Sequence, residues 1–454
     1  MNKLNTKSLY SSKLNEIIPG GAHTYSRGDD QFPSNAPSIL ERGKGAYVYD
    51  PEGNEYLDYG MGLRSVNIGY GNEEIVNACY DENLKGNNLT RASTTELKAA
   101  ELLRDLIPSV DMVKFAKHGS VVTTAAIKLA RAYTGRKYIA VPEEQPFFSF
   151  DDWFIGSTDI KKGTLEESNL FTLKFNYNNI NSLERLFDLY PEQIAGVILE
   201  PATSLSPCDK LCNFKNKCIE YPNNSNNFLQ KVQKICTKHN SVFILDEMIT
   251  GFRWHIQGAQ TFFNVEPDLC TFGKAMGNGF AVSALAGKKE IMQIAGIKKL
   301  GLERVFLTST THGAEMGALG AFIKTIEILK RDNVIDNIWK NGKKLIKGIN
   351  LISEELGILD KFYLEGYPCL PNFISKDNDG IASLPMRTLF LQEMMEKKVM
   401  IPYIAVSFSH KQPELEKTFT AARHALHIYK KALESGLDNY LKSPVVKPVF
   451  RKYN

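Results

Sequence analysis

Three short stretches of the chain hold residue types that could do chemistry together. Asp246 and Glu247 directly follow the apolar run 242–245, and an acid beyond the carboxyl end of a buried strand can point into a ligand site. Lys274 lies within residues 271–279, a stretch of glycines and other small or apolar residues. Partial burial lowers the pKa of a lysine, and only the neutral amine forms a Schiff base. Taken singly, the acid is more simply explained as a helix cap or turn residue and the lysine as an exposed loop residue.

The third stretch offers a place for an anion. Gly119 and Ser120 open the helix that we predict over residues 121–133. A helix N-terminus presents backbone N–H donors and the positive end of the helix dipole, and serine adds a hydroxyl, so this opening can hold a phosphate. The simpler alternative is that Ser120 only caps its own helix. Together the three stretches give, in chain order, a phosphate cradle, an acid at a strand end and a lysine.

The elements that would position these residues form a parallel sheet covered by helices. Continuous apolar runs at 195–199 and 242–245 are typical of strands buried on both faces, and residues 227–239 between them predict a crossover helix. Residues 138–141 predict another strand. The remaining predicted elements are a hairpin of strands 46–50 and 55–58, helical segments within 72–135, and helices at 315–330, 335–356 and 414–433.

The order of these elements predicts an α/β fold with a large, mostly parallel-sheet domain and a smaller C-terminal α+β domain. We expect residues 1–60 to be an N-terminal segment that packs with the small domain, residues 61–305 to form the large domain, and residues 306–454 to form the small one. A polar, Asn-rich stretch at about 204–227 has the composition of a surface loop inserted after the strand that ends at Glu200.

Composition and charge restrict the classes of function. The 454 residues are 43% hydrophobic and 23% charged, which is ordinary for a globular protein. The net charge of +4, from 55 basic and 51 acidic residues, gives no reason to expect nucleic acid or a membrane surface as the main partner. No apolar run reaches the length of about 20 residues that spans a bilayer, and residues 1–15 are polar. We therefore expect a cytoplasmic protein.

Seven cysteines are expected to be free thiols in that compartment. Three of them, Cys208, Cys212 and Cys218, form a weak candidate metal site that would need a fourth ligand such as Cys236 or His239. Their spacing lacks the short pairs, separated by two residues, that are usual in zinc sites. The prediction is therefore that no metal is bound there.

The motifs in this order resemble those of the fold-type I enzymes that use pyridoxal 5'-phosphate (PLP), and among them the class III aminotransferases, most closely the glutamate-1-semialdehyde 2,1-aminomutases. The resemblance covers nearly the whole chain. The segments that carry it are 19–21 leading to Arg27, 43–50, 53–54, 96–97, 112–115, 126–136, 199–201, 246–247 with 250–253, and 267–269 before Lys274.

The resemblance implies roles for the residues identified above. Lys274 would form the Schiff base with PLP and then move a proton between substrate and cofactor. Asp246 would keep the pyridine nitrogen protonated, and Gly119 and Ser120 would bind the phosphate. Thr310 matches a threonine that reaches the phosphate from the neighbouring subunit. The resemblance therefore implies a homodimer with active sites at the subunit interface.

Three more residues are assigned by resemblance. Phe147 would lie over the cofactor ring, if one residue is inserted in the aromatic stretch 145–153; core packing is the alternative for these aromatic residues. Arg27 matches the arginine that holds the substrate carboxylate, and Arg64 is a possible second anion site, because the planar guanidinium fork suits carboxylate or phosphate. The alternative for both arginines is a surface or structural role.

The sequence also departs from the family pattern. His118 and Val121 replace a serine and a glutamate that flank the phosphate-binding residues, and Gly62-Leu63 replaces the serine–tryptophan pair of the aminomutase substrate loop. The substrate pocket is thus not that of the aminomutase. We expect an aminotransferase that moves an amino group from an amino-acid donor, such as glutamate, to the oxo or aldehyde group of a small anionic acceptor.

Two alternatives remain. One is an aminomutase that acts on a different substrate, which would need one substrate where an aminotransferase needs two. The other is a regulator or scaffold of the same fold without catalysis. Loss of Lys274 or Asp246 would mark such a protein, and both residues are present.

Overall fold

The computed structural model describes residues 4–203, 205–208, 227–298, 300–301 and 303–454. The strands are β1 (Arg42–Lys44), β2 (Tyr47–Tyr49), β3 (Glu55–Asp58), β4 (Met112–Ala116), β5 (Tyr138–Pro142), β6 (Thr172–Phe175), β7 (Ile194–Leu199), β8 (Val242–Glu247), β9 (Leu269–Phe272), β10 (Ser283–Gly287), β11 (Phe362–Glu365), β12 (Asn372–Ser375) and β13 (Val399–Met400).

The helices are α1 (Leu4–Ile17), α2 (Met61–Arg64), α3 (Glu73–Leu84), α4 (Thr94–Leu106), α5 (Gly119–Thr134), α6 (Asp152–Ile155), α7 (Ile180–Leu189), α8 (Phe228–Lys238), α9 (Ala259–Phe263), α10 (Lys289–Met292), α11 (Met316–Arg331), α12 (Val334–Glu355), α13 (Leu384–Glu396) and α14 (Gln412–Ser435). Short 3-10 helices lie at Pro19–Gly21, Tyr25–Arg27, Asp29–Gln31, Glu166–Phe171, Lys274–Gly277, Gln293–Ala295 and Leu437–Asn439.

Residue contacts divide the chain into two compact units. The first unit is Met1–Asn72 with Asp336–Arg451, and the second is Glu73–Ile335 with Lys452–Asn454. The domain limits expected from the sequence, 60/61 and 305/306, stay a prediction. None of the described helices combines the length and the apolar composition that crossing a bilayer requires.

The second unit contains a seven-stranded sheet in the order β4-β10-β9-β8-β7-β5-β6. Strands β6, β5, β7, β8 and β9 pair in parallel, whereas β10 pairs antiparallel with both β9 and β4. Every residue of β7 and β8 is buried, as their continuous apolar runs predicted. The crossover helix between them, α8, begins with a capping box of Asn227 and Gln230. The expected mostly parallel sheet is confirmed.

Strand β4 corrects the sequence-based description of residues 72–135 as helical. Three helices, α3, α4 and α5, do lie there, but residues Met112–Ala116 between α4 and α5 form an edge strand. The mixed composition of this strand and its partial exposure gave no continuous apolar run. Its pairing with β10 is a long-range contact that local pattern cannot reveal, because the matched residues Met112 and Gly287 are 175 positions apart in the sequence.

The first unit contains a four-stranded sheet, β1-β2-β3-β13, and a hairpin of β11 and β12. The predicted hairpin near residues 46–58 is confirmed as β2 paired antiparallel with β3, and Asp50 closes its turn by accepting the backbone N–H of Asn54 at 2.8 Å. Strand β13 adds to β3 in parallel. The three predicted helices of the C-terminal third are confirmed as α11 of the second unit, α12, which begins at the boundary between the units, and α14 of the first unit.

Candidate functional site

Asp246 and Lys274 lie at the ends of neighbouring strands. Asp246 of β8 pairs in register with Thr271 of β9, and Lys274 begins the 3-10 helix that follows β9. The carboxylate of Asp246 is 3% exposed, and its Oδ1 accepts hydrogen bonds from Thr271 Oγ1 at 2.9 Å and from the backbone N–H of Met248 at 3.0 Å. Burial raises the pKa of Asp246, and the nearby charge of Lys274 opposes that rise. The structure therefore brings the predicted acid and the predicted lysine together.

The adjacent acid, Glu247, serves the fold. Its buried carboxylate accepts the backbone N–H groups of Ala259 at 2.6 Å and Gln260 at 3.0 Å, at the start of α9. Burial raises the pKa of Glu247. Successive strand residues point to opposite faces, which explains why only Asp246 lies beside Lys274. The sequence motif alone did not separate these two carboxylates.

The backbone at Lys274 is strained. Its φ is +45°, in the left-handed region that a non-glycine residue rarely adopts, and its side chain is half-buried. Such strain costs about 1–3 kcal/mol and is concentrated at functional sites, where the surrounding structure maintains it. The geometry of Lys274 thus supports a functional role for this residue.

The residues predicted to bind a phosphate lie at the start of α5. His118 precedes the helix in an extended conformation and its side chain makes no capping hydrogen bond, so the first-turn N–H groups can bind an anion. Ser120 is buried, and its Oγ accepts the backbone N–H of Phe150 at 3.2 Å. A bond from this second segment holds the hydroxyl in place at the helix start.

Met248 contacts all three stretches that the sequence singled out. A Cβ atom added at Gly119 would lie 3.0 Å from Met248 Sδ, and one added at Gly273 would lie 2.6 Å from the same sulfur. The backbone N–H of Met248 also binds Asp246. Gly119, Asp246 and Gly273, which precedes Lys274, therefore all lie next to Met248, at the carboxyl ends of β4, β8 and β9. Sequence reasoning missed Met248, although it follows the Asp246-Glu247 pair directly.

The aromatic stretch after β5 separates into buried and exposed rings. Phe148 is 2% exposed and belongs to the core of the second unit, whereas Phe147 is 42% exposed and packs edge-on against Phe154. The ring of Phe150 is also exposed and lies 5.4 Å from that of His118, between centroids. Phe147 and Phe150 thus remain the rings of this stretch with free surface, and the proposed position of Phe147 over a cofactor stays a prediction.

Thr310 lies in an exposed segment before α11. A Cβ atom added at Gly313 would lie 3.0 Å from Thr310 Oγ1 and 3.8 Å from the backbone carbonyl of Phe115 in β4. Glu315 binds the same region, because its carboxylate pairs with Lys117 Nζ at 2.7 Å. The segment with Thr310 is thus fixed close to the end of β4 that leads into the cradle.

Arg27 and Arg64 belong to the first unit. Arg64 ends the short turn Met61–Arg64, in which all four residues have positive φ, and its guanidinium lies 4.4 Å from the ring centroid of Tyr403. Arg27 is exposed and lies in the 3-10 helix Tyr25–Arg27. Burial raises the pKa of Tyr403, and the charges of Arg64 and Arg27 oppose the rise. The structure therefore gathers both predicted arginines around Tyr403, which sequence reasoning did not select.

One cysteine corrects the expectation of free thiols. Cys79, Cys236, Cys270 and Cys369 form no disulfide, but Cys208 is disulfide-bonded. Sequence spacing gives no distance between two sulfur atoms, and that distance decides whether a disulfide can form.

The weak metal candidates Cys212 and Cys218, like most of the predicted insert at 204–227, lie outside the described residues. Among the residues that are described, no three His, Cys, Asp or Glu side chains are grouped so that they could hold a metal ion.

Comparison with known proteins identifies relatives along most of the chain. The family model described as aminotransferase class-III matches residues 31–366. The chain is 32% identical over 429 residues to the 3-aminobutyryl-CoA aminotransferase of Cloacimonas acidaminovorans, which covers 92% of this chain and 96% of that protein. It is 29% identical over 441 residues to the glutamate-1-semialdehyde 2,1-aminomutase of Francisella philomiragia, again with 92% and 96% covered.

Solved structures show the same fold. The FumI protein of Sphingopyxis sp. MTA144 aligns with a TM-score of 0.81 at 22% identity, over 94% of this chain and 97% of that one. An omega-transaminase from Sphaerobacter thermophilus aligns with a TM-score of 0.79 at 22% identity, over 94% and 98%. The expected fold-type I architecture is confirmed.

Proposed function

The chain belongs to the class-III aminotransferases, which are PLP-dependent enzymes, and from that premise we propose that it moves an amino group from an amino-acid donor, such as glutamate, to the oxo or aldehyde group of a small anionic acceptor. The observation that carries most of the proposal is that the buried Asp246, at the end of β8, lies near enough to Lys274, just after β9, for the charge of the lysine to act on its carboxylate. An acid that holds one proton and an amine that can move another are what amino-group transfer requires of the protein.

The residues present fit PLP. Both hydrogen bonds described for Asp246 end on Oδ1, so Oδ2 is the oxygen that would accept the N–H of a pyridine ring. The first-turn N–H groups of α5, with Ser120, suit a phosphate. Because Gly119 and Gly273 have no side chains, Met248 can pack directly against the backbone next to the groups that would bind PLP. When bound, PLP supplies an electron sink for the negative charge that develops on the substrate carbon.

We assign separate proton tasks to the two central residues. Lys274 would take the proton from the substrate carbon and return it at a different atom, which needs the neutral form of its amine. Asp246 would stay ionised and hold a proton at the pyridine nitrogen. Burial favours the neutral acid, whereas the hydrogen bonds from Met248 and Thr271 and the charge of Lys274 favour the carboxylate. These contacts support an ionised Asp246 at neutral pH.

Substrate recognition is assigned to the first unit. Arg27 and Arg64 would bind an anionic group of the acceptor, because both charges act on Tyr403 and a guanidinium can bind carboxylate or phosphate through two parallel hydrogen bonds. Phe147 would cover the cofactor ring, which is supported by its exposed face and by the burial of its neighbour Phe148.

We further propose a homodimer in which Thr310 completes the phosphate site of the partner. The exposure of Thr310 and an exposed apolar stripe on α3 support an interface between two copies; the stripe consists of Val76, Tyr80 and Leu84. Mixing Lys274→Ala and Thr310→Ala proteins tests this arrangement. If Thr310 acts across the interface, hybrid dimers contain one intact site and regain activity, whereas a threonine acting within its own chain leaves the mixture as inactive as its parts.

The direct test of the proposed function is the absorption spectrum of the purified protein before and after addition of L-glutamate alone. We expect a yellow band that glutamate converts to the amine form of the cofactor and that a keto acceptor restores. Lys274→Ala protein is the control, and it should lack the yellow band of the lysine-bound cofactor. A Lys274→Ala variant that turned over normally would contradict the assignment of the lysine.

The aminomutase alternative is supported by the relative from Francisella philomiragia. A mutase converts one substrate and needs no separate amino acceptor. Steady-state rates with single amino acids and with donor–acceptor pairs therefore separate the two functions. Turnover that needs both an amino donor and an acceptor supports the aminotransferase, and sustained turnover of a single substrate supports the mutase.

A further inference from the structure

The turn Met61–Arg64, which carries one of the arginines assigned to substrate binding, has an unusual backbone. All four of its residues have positive φ, between +42° and +68°. Three of the four are not glycine, and a residue with a Cβ atom is disfavoured in this left-handed region because the Cβ lies too close to the following carbonyl oxygen. Four successive residues in this conformation must therefore be maintained there by the surrounding structure.

The hydroxyl of Tyr70 connects this turn to a buried carboxylate. It accepts the backbone N–H of Gly62 at 2.6 Å and donates to Asp58 Oδ2 at 2.6 Å. Asp58 is 5% exposed and also accepts the backbone N–H groups of Gly60 at 2.7 Å and Met61 at 3.0 Å. Burial raises the pKa of Asp58, but these three bonds are all donated to its carboxylate and therefore favour the ionised form.

Both residues of this connection are fixed by strand pairing and packing. Tyr70 exchanges backbone hydrogen bonds with Gly45 at 2.8 and 2.9 Å. Its ring packs on Gly43, where an added Cβ atom would lie 2.8 Å from Tyr70 Cγ. Asp58 is the last residue of β3 and pairs there with β13. The hydroxyl and the carboxylate therefore belong to a rigid frame, and the turn is the part that they hold.

We propose that Tyr70 is a positioning residue for substrate binding. Its hydroxyl, fixed by Asp58, binds the backbone N–H of Gly62 and thereby keeps the turn that carries Arg64 in its left-handed form. This inference rests on the proposed function, in which Arg64 binds an anionic group of the acceptor. It is independent of the other contacts of Arg64, because Tyr70 acts on the backbone of the turn. Without the hydroxyl, the turn can relax toward a more favourable backbone conformation.

Hydrogen exchange followed by mass spectrometry tests the local part of this proposal. Tyr70→Phe keeps the ring that packs on Gly43 and removes only the hydroxyl. We expect the amides of residues 60–66 to exchange at least about fivefold faster in the variant, because one hydrogen bond that protects the turn is lost. The amides of β2 and β3 should keep their wild-type exchange. Wild-type exchange of residues 60–66 in Tyr70→Phe would overturn the proposal.

Calorimetric titration of the PLP-loaded enzyme with glutarate tests the functional part. Glutarate carries carboxylates but neither an amine nor an oxo group, so it can bind without reacting. We expect Arg64→Met to weaken glutarate binding about tenfold or more and Tyr70→Phe to weaken it at least about threefold. Tyr70→Phe should cause no further loss in the Arg64→Met background, because it acts through Arg64. Unchanged binding in Tyr70→Phe, an equal loss whether or not Arg64 is present, or no binding by wild type would overturn the proposal.

Two further variants control for folding and for the loss of a hydroxyl as such. Tyr49→Phe removes a hydroxyl of the same sheet, which donates to Glu55 at 2.8 Å, and should keep wild-type exchange at residues 60–66 and wild-type glutarate binding.

If Tyr70→Phe does not fold, Ser65→Ala replaces it, because Ser65 Oγ donates to the carbonyl of Gly62 at 2.6 Å and so restrains the same turn. Unchanged exchange and binding in Ser65→Ala would then count against the proposal. Failure of the proposed function would be visible separately, as a cofactor spectrum that no amino donor changes, while exchange and glutarate binding would still be measured.

Discussion

The cofactor end of the second unit, defined as Asp246, Met248 and Lys274, and the arginine cluster of the first unit, defined as Arg27 and Arg64, position their charged groups by different means. Asp246 is placed by the register of two buried strands, and its Oδ1 accepts hydrogen bonds from Met248 and Thr271. The arginines instead lie in a 3-10 helix and at the end of a left-handed turn, without that sheet to place them.

This difference indicates that one region serves the chemistry and another region the choice of substrate. Regular buried strands can fix an acid and a lysine within the small tolerance that proton transfer needs. Residues in turns can change from one relative to another without disturbing the core. Within a fold, specificity therefore usually varies at such turn positions. We therefore expect substitutions at the cofactor end to affect all substrates and substitutions in the arginine cluster to affect only anionic ones.

The largest effect is expected for Asp246→Asn. Asparagine keeps the shape and the acceptor for Thr271 but removes the charge that we propose to hold a proton at the pyridine nitrogen, so kcat should fall by about 10²–10⁴-fold with every donor and acceptor. Asp105→Asn, at an exposed residue paired with Arg104, is the matched control and should retain wild-type rates. Steady-state kinetics with two chemically different acceptors measure both. Wild-type rates in Asp246→Asn, or a loss confined to one acceptor, would contradict the expectation that the cofactor end acts on all substrates alike.

Arg27→Ala should have the next largest effect, mainly on substrate binding. Loss of a charge-assisted contact of roughly 1.5–3 kcal/mol raises KM for an anionic acceptor by about 10- to 100-fold, with a smaller change in kcat. A neutral aldehyde acceptor should be unaffected. Equal losses for neutral and anionic acceptors would show that Arg27 supports the fold and does not select the substrate.

Gly273→Ala tests the packing that joins the stretches of the cofactor site. The φ of Gly273 is 179°, which any residue adopts, so the cost comes only from the new Cβ at 2.6 Å from Met248 Sδ. We expect a loss of about 1–3 kcal/mol in the free energy of unfolding and weaker PLP binding. Adding Met248→Ala should recover part of the loss, and a double-mutant cycle in urea measures this coupling. Additive losses would show that the two side chains do not meet.

The smallest effect concerns a carboxyl of the first unit outside the arginine cluster. Burial raises the pKa of Glu365 from 4.5 to about 6, against the opposing charge of Lys376. The folded state therefore keeps a proton that the unfolded state loses between pH 4.5 and 6, and this contribution to stability declines as pH rises through that window. Glu365→Gln should make the pH dependence of unfolding flatter between these values. An identical slope in the variant would contradict the assignment.

Sequence reasoning was most successful where local pattern determines structure. The apolar runs of β7 and β8 located the central strands, and the acid that follows one of them lies where strand ends predicted a ligand site. It missed β4 and β10. Strand β4 is a partly exposed edge strand and β10 consists mostly of small residues, so both carry weak periodic signals. The two strands also pair with each other, and residues so far apart in the sequence give no local sign of that pairing.

The substrate residues show the same limit. Tyr403 belongs to no motif that the sequence singled out, and only the folded chain brings the charges of Arg27 and Arg64 close enough to act on it. Likewise, Phe147 and Phe148 are equivalent in the sequence, and only burial distinguishes the exposed ring from the core ring. Contacts between distant segments, not local composition, determined both outcomes.

The central claim is that Lys274 is the residue to which PLP attaches, and chemical trapping tests it most directly. The PLP-loaded enzyme is reduced with borohydride, digested, and mapped by mass spectrometry for the lysine that carries the added phosphopyridoxyl group. We predict the modification on Lys274 and its absence from Lys274→Arg protein treated in the same way. Modification of another lysine in the wild-type enzyme, or none in an enzyme that turns over, would contradict the account.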